Sequence, residues 1–332
     1  MENFKEGMTL DQITEVMHKD RLTIKEVLTT SEGAQLFVAA IDKKLLDAYN
    51  THPSTWQAIA DEIITDGSDI RLPELVGVKA FYVPEMGEIP FADVDITGNT
   101  YQMQSFKTRL GISQEMIEDN KVNLMGWMTQ KCGNKMKELE DIETYKCLDT
   151  YNATGRAVNT YNTFVGEENR GVFYTTATFT NSLSGTALNW QDIISTSMVT
   201  LQTQTRTING KAYDYPVYAD TIICNPSREM GLRQILNASI NVVTTGLANN
   251  VMLAGSNLFQ GALRLVSSPR VATRLAYVTQ AKKGLVLFRH QLYRQPRVEK
   301  TANFAYDAQE VKAVTRFLPA VIDQRAFVPV YT

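Results

Sequence analysis

Residues 83–119 read VPEMGEIPFADVDITGNTYQMQSFKTRLGISQEMIED. Pro84 and Pro90 have no N–H to give a strand ladder, which puts them on exposed edges, and Met86-Gly87 between them marks a turn. With Val76, Val78, Phe81, Tyr82 and Val83 just upstream, the pattern predicts a long β-hairpin over 69–100 with little apolar surface to bury. From Tyr101 to Ile112 the residues alternate: Phe106, Thr108, Leu110 and Ile112 fall on one face, Lys107 and Arg109 on the other, as in a half-buried strand. Ser113 then caps a short turn over 114–119. A two-stranded hairpin is marginal alone in water, so a protruding one implies a partner surface.

Beyond this stretch a helix is predicted over 122–150. Its apolar stripe is Met125, Met128, Cys132, Met136, Leu139, Ile142, Tyr145 and Leu148, stepping by three or four throughout. Such a helix would run roughly 43 Å. Gly126 and Gly133 weaken it by about 1 kcal/mol each, which is explained if another backbone passes close there. Residues 151–188 are rich in Thr, Asn and Gly and read as loop and irregular strand. Trp190, Ile193, Ile194, Met198 and Leu201 make a further amphipathic helix, and Asn209-Gly210 is a hairpin turn signal. A buried strand is expected at 217–224, followed by Asn225 as helix cap, Pro226 in the first turn, and a helix over 227–236. Strand-like runs follow at 263–266, 276–279, 284–288, 311–318 and 326–330.

Towards the N-terminus, residues 1–65 read as short helices. Thr9 with Gln12 and Thr23 with Glu26 fit the capping box, and Leu10, Ile13 and Met17, then Leu36, Phe37, Ala40, Ile41 and Leu45, keep helical spacing. Pro53 stops that run, and Trp56, Ile59 and Ile63 suggest a further turn or two of helix. These thin strips form no closed core and look like an arm that must pack on something else.

Composition fits a globular chain: 332 residues, 44% apolar and 21% charged. The net charge of −3 conceals an asymmetry, because residues from Thr221 onward carry 14 Lys/Arg against 5 Asp/Glu, leaving 19 against 31 for residues 1–220. An acidic front and basic back can meet in neighbouring copies, or neutralise each other within one fold. Three widely spaced cysteines, Cys132, Cys147 and Cys224, point to buried free thiols in a reducing compartment. The first residues lack the basic and apolar regions of a signal peptide, and no apolar run approaches the ~18 residues of a membrane span, so a soluble protein made inside the cell is expected.

Motifs that carry chemistry are scarce. His18, His52 and His290 are isolated, and the spacings of zinc sites, phosphate-binding loops and nucleophile elbows are missing. Glu138, Glu140, Asp141 and Glu143 form the densest acidic group; Glu140 and Glu143 share a helix face and could serve an acid–base pair, but a solvated helix side is the expected reading. Lys282, Lys283, Arg289, Arg294, Arg297 and Lys300 interleave with Phe288 and Tyr293, a spacing suited to inter-subunit ion pairs or a solvated edge ahead of nucleic-acid contact. No catalytic, cofactor-binding or metal-ligating residues are therefore assigned.

The order of parts resembles the major capsid protein of tailed double-stranded-DNA bacteriophages, the Hong Kong 97-like fold. Glu88, Ile89 and Pro90 fall on that family's hairpin segment, Ile112 and Ser113 on the end of its strand, and Glu115, Met116, Glu118 and Asp119 on the turn before its spine helix. Residues 311–330, with Arg316 and Ala326-Phe327-Val328, are similar to its last strands. The resemblance implies an α+β fold with an N-terminal arm (1–68), an extended loop (69–104), a peripheral domain with the spine helix (105–150 and 301–332) and an axial domain with a loop-rich insertion (151–300). It implies a structural protein, not an enzyme, without cofactor, that self-assembles as pentamers and hexamers into the icosahedral head shell of a phage. Its expected partners are itself, portal, scaffolding or decoration proteins, and packaged double-stranded DNA in weak non-specific contact, with no membrane. It would be found in the virion after assembly in the host bacterial cytoplasm. An encapsulin-like compartment is the alternative, and a soluble carboxylate-dependent enzyme a distant one.

Overall fold

A computed structural model of the chain describes residues 31–76, 95–113, 122–148, 190–208, 211–237, 240–244, 252–256, 261–272, 275–303 and 308–331, with short pieces at 12–13, 15–16, 119, 175–176, 179–180 and 183–184. In chain order the helix α1 (Ser31–Thr51) is followed by a 3-10 turn (Trp56–Ala58) and the strands β1 (Asp61–Thr65), β2 (Asp69–Val76), β3 (Asp95–Gln102) and β4 (Gln104–Ser113). The long helix α2 (Val122–Lys146) and the two-residue strands β5 (Thr175–Thr176), β6 (Phe179–Thr180) and β7 (Leu183–Ser184) come next. Helix α3 (Trp190–Gln202), strands β8 (Thr205–Ile208), β9 (Lys211–Asp214) and β10 (Thr221–Cys224), and helix α4 (Pro226–Asn237) continue the chain. It closes with β11 (Ile240–Thr244), β12 (Met252–Ser256), β13 (Arg264–Ser267), β14 (Leu275–Thr279), β15 (Leu285–His290), β16 (Arg297–Asn303), β17 (Ala308–Val321) and β18 (Phe327–Tyr331).

Two five-stranded sheets organise these elements. The first is built on the 14-residue strand β17. Its Phe317 pairs with Arg289 of β15 on one side and Gln104 of β4 on the other, so β15 and β16 line one edge of β17 and β4 the opposite edge. Strand β1 adds in parallel to the far side of β15. The second sheet runs β13-β10-β14-β18-β7. One core cluster, holding Trp56, Tyr145, Tyr277, Phe317 and Phe327, joins residues from both sheets and from α2. A second, with Ile193, Leu201, Leu232 and Leu236, packs α3 and α4 on the second sheet.

Local chemistry accounts for the element ends. Helix α1 stops two residues before Pro53, which disfavours helical backbone in the residue before it. Asn225 accepts a hydrogen bond from the Ser227 N–H at 3.0 Å and Pro226 opens α4, as its sequence predicts. The Asn209-Gly210 signal falls between β8 and β9, whose pairing Ile208↔Lys211 leaves a two-residue connection. Helix α2 ends at Lys146, short of the expected 150, because Cys147 and Leu148 donate three residues back, to Thr144 and Tyr145. At Gly133 a Cβ would lie 2.4 Å from the Leu45 carbonyl oxygen, so α1 does pass directly over the α2 backbone there.

The expected hairpin is present over its described stem: β2 and β3 pair from Asp69↔Gln102 to Val76↔Asp95. Its remaining residues, 77–94, lie outside the described ones, as do 114–118, which hold Glu115, Met116 and Glu118, and nearly all of 1–30 and 151–188. Two readings need correction. Ile63 is not helical but lies in β1, where parallel pairing to β15 outweighs the local helical spacing of Trp56 and Ile59. Strand β16 was not expected, since Arg297, Glu299 and Lys300 mask its alternation. Strands β15 and β16 belong with β17 in the first sheet, and β18 joins β14 in the second.

Candidate functional site

The acidic group on α2 is not a solvated face. Glu140 is 0% exposed and Glu143 4% exposed, which overturns that expectation. Helix α2 is covered on this side by α1, the 3-10 turn and β15, and each supplies a group to Glu140. Tyr49 of α1 donates its hydroxyl to Oε1, Arg289 of β15 donates Nη1 to the same oxygen at 2.8 Å, and Oε2 receives Trp56 Nε1 at 3.2 Å and Lys137 Nζ at 3.0 Å. Arg289 also donates Nε to Glu62 of β1 at 2.5 Å. The centre thus balances two cations against two carboxylates, and the Lys137 ammonium lies 4.8 Å from the Tyr49 ring centroid.

Electrostatics follow from that geometry. Burial alone would raise the Glu140 pKa, but the charge and hydrogen bond of Arg289, with help from Lys137 and Tyr49, hold it below the ordinary carboxylate value. Burial, and then the adjacent Glu140 charge, raise the Tyr49 hydroxyl. Next to Glu140, Asp141 accepts the backbone N–H groups of Thr55 at 3.0 Å and Trp56 at 2.9 Å, yet burial leaves its pKa raised. These two carboxylates therefore fasten the segment after α1 to the long helix. Every acceptor oxygen of Glu140 is occupied by protein donors, an arrangement that holds elements together and leaves no open position for a substrate.

The basic cluster is also divided. Arg289 is 2% exposed and spent within the subunit, so it can contact neither DNA nor another copy. Lys282, Arg294 and Arg297 are exposed, and Lys283 is half-buried over the Tyr215 ring at 4.9 Å. Glu138 forms an ion pair with Arg270 and another with Lys135 at 2.5 Å. His290 caps the turn at 291–293 by accepting the Leu292 N–H at 3.2 Å, and His52 follows α1 half-buried. All three cysteines are free, Cys147 and Cys224 buried and Cys132 half-buried, and burial pushes the Cys224 thiol up to about 11. Among the described residues no group of three His, Cys, Asp or Glu side chains could hold a metal ion, and no helix is long and apolar enough to cross a membrane.

What the surface offers is apolar contact. Trp127 on α2, Val199 on α3, Tyr218 before β10, Met230 on α4, Leu292 after β15, and Ile63 and Ile64 on β1 are all exposed. The sequence reading missed them, because whether an apolar residue on a helix, an edge strand or a turn is buried depends on what packs against that face.

A family model for the phage capsid protein matches residues 98–330. The chain belongs to the phage capsid protein family. Its α+β fold is of the Hong Kong 97-like kind, and its place is the virion. No curated protein matches the sequence. Among solved structures, the chain is similar to the capsid of the native GTA particle, with 11% identity and a TM-score of 0.54 over 83% of this chain and 89% of that one. It is also similar to the capsid of the cyanophage P-SCSP1u, with 12% identity and a TM-score of 0.50 over 84% and 88%. The holo-SrpI encapsulin of Synechococcus elongatus PCC 7942 matches at 10% identity and a TM-score of 0.48 over 85% and 88%, too weak a likeness to favour a compartment.

Proposed function

We propose that this capsid protein is the major shell subunit of a tailed-phage head, assembling from many copies into an icosahedral lattice of pentamers and hexamers that encloses double-stranded DNA. Family membership supports the capsid role. The observation that carries self-assembly is the β2–β3 stem, whose strands pair only with each other among the described residues. Its base is held within the subunit, Ile70 packing on Phe288 and Leu318 of the first sheet, and the two-stranded ribbon that leads on from it is marginal in water unless neighbouring subunits cover it. Exposed apolar side chains on α2, α3, α4 and β1 give such neighbours several faces to bury.

In this reading residues 1–68 are an arm, 69–104 the extended loop, 105–150 and 301–332 a peripheral domain around α2 and β17, and 151–300 an axial domain around β10, with β15 and β16 completing the peripheral sheet and β18 the axial one. The subunit performs no catalysis. Portal, scaffolding or decoration proteins act as partners, DNA touches the shell weakly, and assembly takes place in the host cytoplasm. Electron microscopy of the purified chain, with assay of nucleic acid in isolated particles, tests the proposal. Closed icosahedral shells holding duplex DNA are expected from infected cells. Shells holding protein cargo instead would establish the encapsulin reading, and a monodisperse monomer under all assembly conditions would refute both.

A further inference from the structure

In the first sheet β1, β16 and β4 each have a single ladder partner among the described residues, and β1 and β4 lie at its two opposite sides. At one, β1 pairs in parallel with β15, whose six residues are all buried, yet Asp61 to Ile64 are exposed one after another. Neighbouring residues in a strand point to opposite faces, so Ile63 and Ile64, at 36% and 43% exposure, leave apolar surface on both sides of this edge. Monomeric proteins guard a free edge with charged side chains, proline or a bulge; among the described residues β1 pairs only with β15, it holds no proline or lysine, and its two charges, Asp61 and Glu62, are both acidic. Residues 60–70 carry Asp61, Glu62, Asp66 and Asp69 and no basic residue. At the opposite edge, β4 pairs only with β17 among the described residues. It carries Lys107 and Arg109 with no acidic residue over 104–113, and its half-buried Phe106, Thr108 and Leu110 are apolar or weakly polar.

The two edges also match face for face. Phe106 stacks on Phe317 at 4.5 Å and joins the core that α2 covers, so Lys107 and Arg109 take the other face of the sheet. Glu62 reaches Arg289 on the α2 side, which puts Ile64 on that side and Asp61 and Ile63 on the face shared with Lys107. We propose that the β1 edge of one copy pairs with the β4 edge of the next, continuing the sheet across the subunit boundary with Asp61 opposite Lys107 and Ile64 against the Phe106–Leu110 side. The contact is heterologous, so repetition closes a ring or extends a lattice. It rests on the shell reading above, because a shell keeps the same face of every subunit outward and so preserves this facing.

Two preparations of the full chain are mixed, one carrying Ile63→Cys and the other Lys107→Cys, and treated with a short bifunctional thiol reagent. Same-face pairing predicts a cross-linked dimer, and the mixture of Ile64→Cys with Lys107→Cys, on opposite faces, should give at least fivefold less. Separately, Asp61→Lys should reduce particle yield at least tenfold with circular dichroism unchanged, and Lys107→Asp in the same chain should restore it. Shells that form without the same-face cross-link, or an Asp61→Lys defect that Lys107→Asp fails to relieve, would overturn the edge pairing alone. Cross-linked oligomers from a chain that never closes a shell would keep the pairing and overturn the shell reading.

Discussion

At the scale of single residues, Glu140 and Gly133 set the sharpest constraints. Removing one partner of a buried ion pair leaves an uncompensated charge, so Arg289→Met should cost about 3–5 kcal/mol of unfolding free energy, while the double change Glu140→Gln with Arg289→Met should cost clearly less than the sum. Denaturant titration of the four proteins measures the coupling, and strict additivity would contradict the geometry. The pH dependence has a fixed sign. The folded Glu140 pKa lies below its ordinary value of 4.5, so its contribution is present above that value and is lost as pH falls through the folded pKa. The stability gap between wild type and Glu140→Gln should accordingly narrow on acidification from about pH 6 towards pH 3, and a widening gap would contradict it. At Gly133 even a methyl group meets the α1 backbone, so Gly133→Ala should destabilise the chain by about 1–3 kcal/mol, although alanine is the better helix former; an unchanged unfolding midpoint would show that α1 does not sit there in solution.

At the scale of elements, the proposed shell makes the hairpin stem a place where the subunit meets its neighbours. Replacing residues 77–94 by a short turn between Val76 and Asp95 should give a folded subunit that forms no closed shells, read by circular dichroism and electron microscopy. Normal particles from that deletion would remove the hairpin from assembly. The strands and helices with clear punctuation were legible in advance: Asn225-Pro226 announced α4, Asn209-Gly210 the β8–β9 turn, and alternation from Phe106 to Ile112 the strand β4. Elements whose identity depends on a distant partner were not. Strand β1 exists because β15 lies beside it, and β16 because β17 does, with no local periodicity strong enough to declare either. The Glu140 centre escaped for the same reason. A carboxylate opposite an apolar stripe reads as solvated until Tyr49, Trp56 and Arg289, up to 149 residues away in the chain, are seen to converge on it.

Across the whole molecule, the charge asymmetry has two destinations, and the structure separates them. Part is consumed inside the subunit, since Arg270 pairs with Glu138 and Arg289 with Glu140 and Glu62, each joining the basic C-terminal part to the acidic N-terminal part. Those buried or half-buried pairs will respond little to salt, because they are poorly screened. What remains on the surface, including Lys282, Arg294 and Arg297 on one side and Asp61 and Asp69 on the other, is available between copies. Each exposed pair contributes only about 0–1 kcal/mol, but an assembled lattice repeats it at every equivalent boundary. Shell formation from purified subunits, followed by light scattering, should therefore weaken as ionic strength rises towards about 0.1 M, where the screening length shortens to about 10 Å, while the unfolding midpoint of the free subunit changes little. Removal of Arg289 from the solvent-facing cluster also lowers the expected affinity for DNA, since phosphate binding strength scales with the number of cations that reach the backbone. Duplex binding by the free subunit should then be weak, with a shallow salt slope. A steep slope, or assembly indifferent to salt, would mean that Lys282, Arg294 and Arg297 serve the genome and not the neighbouring subunit.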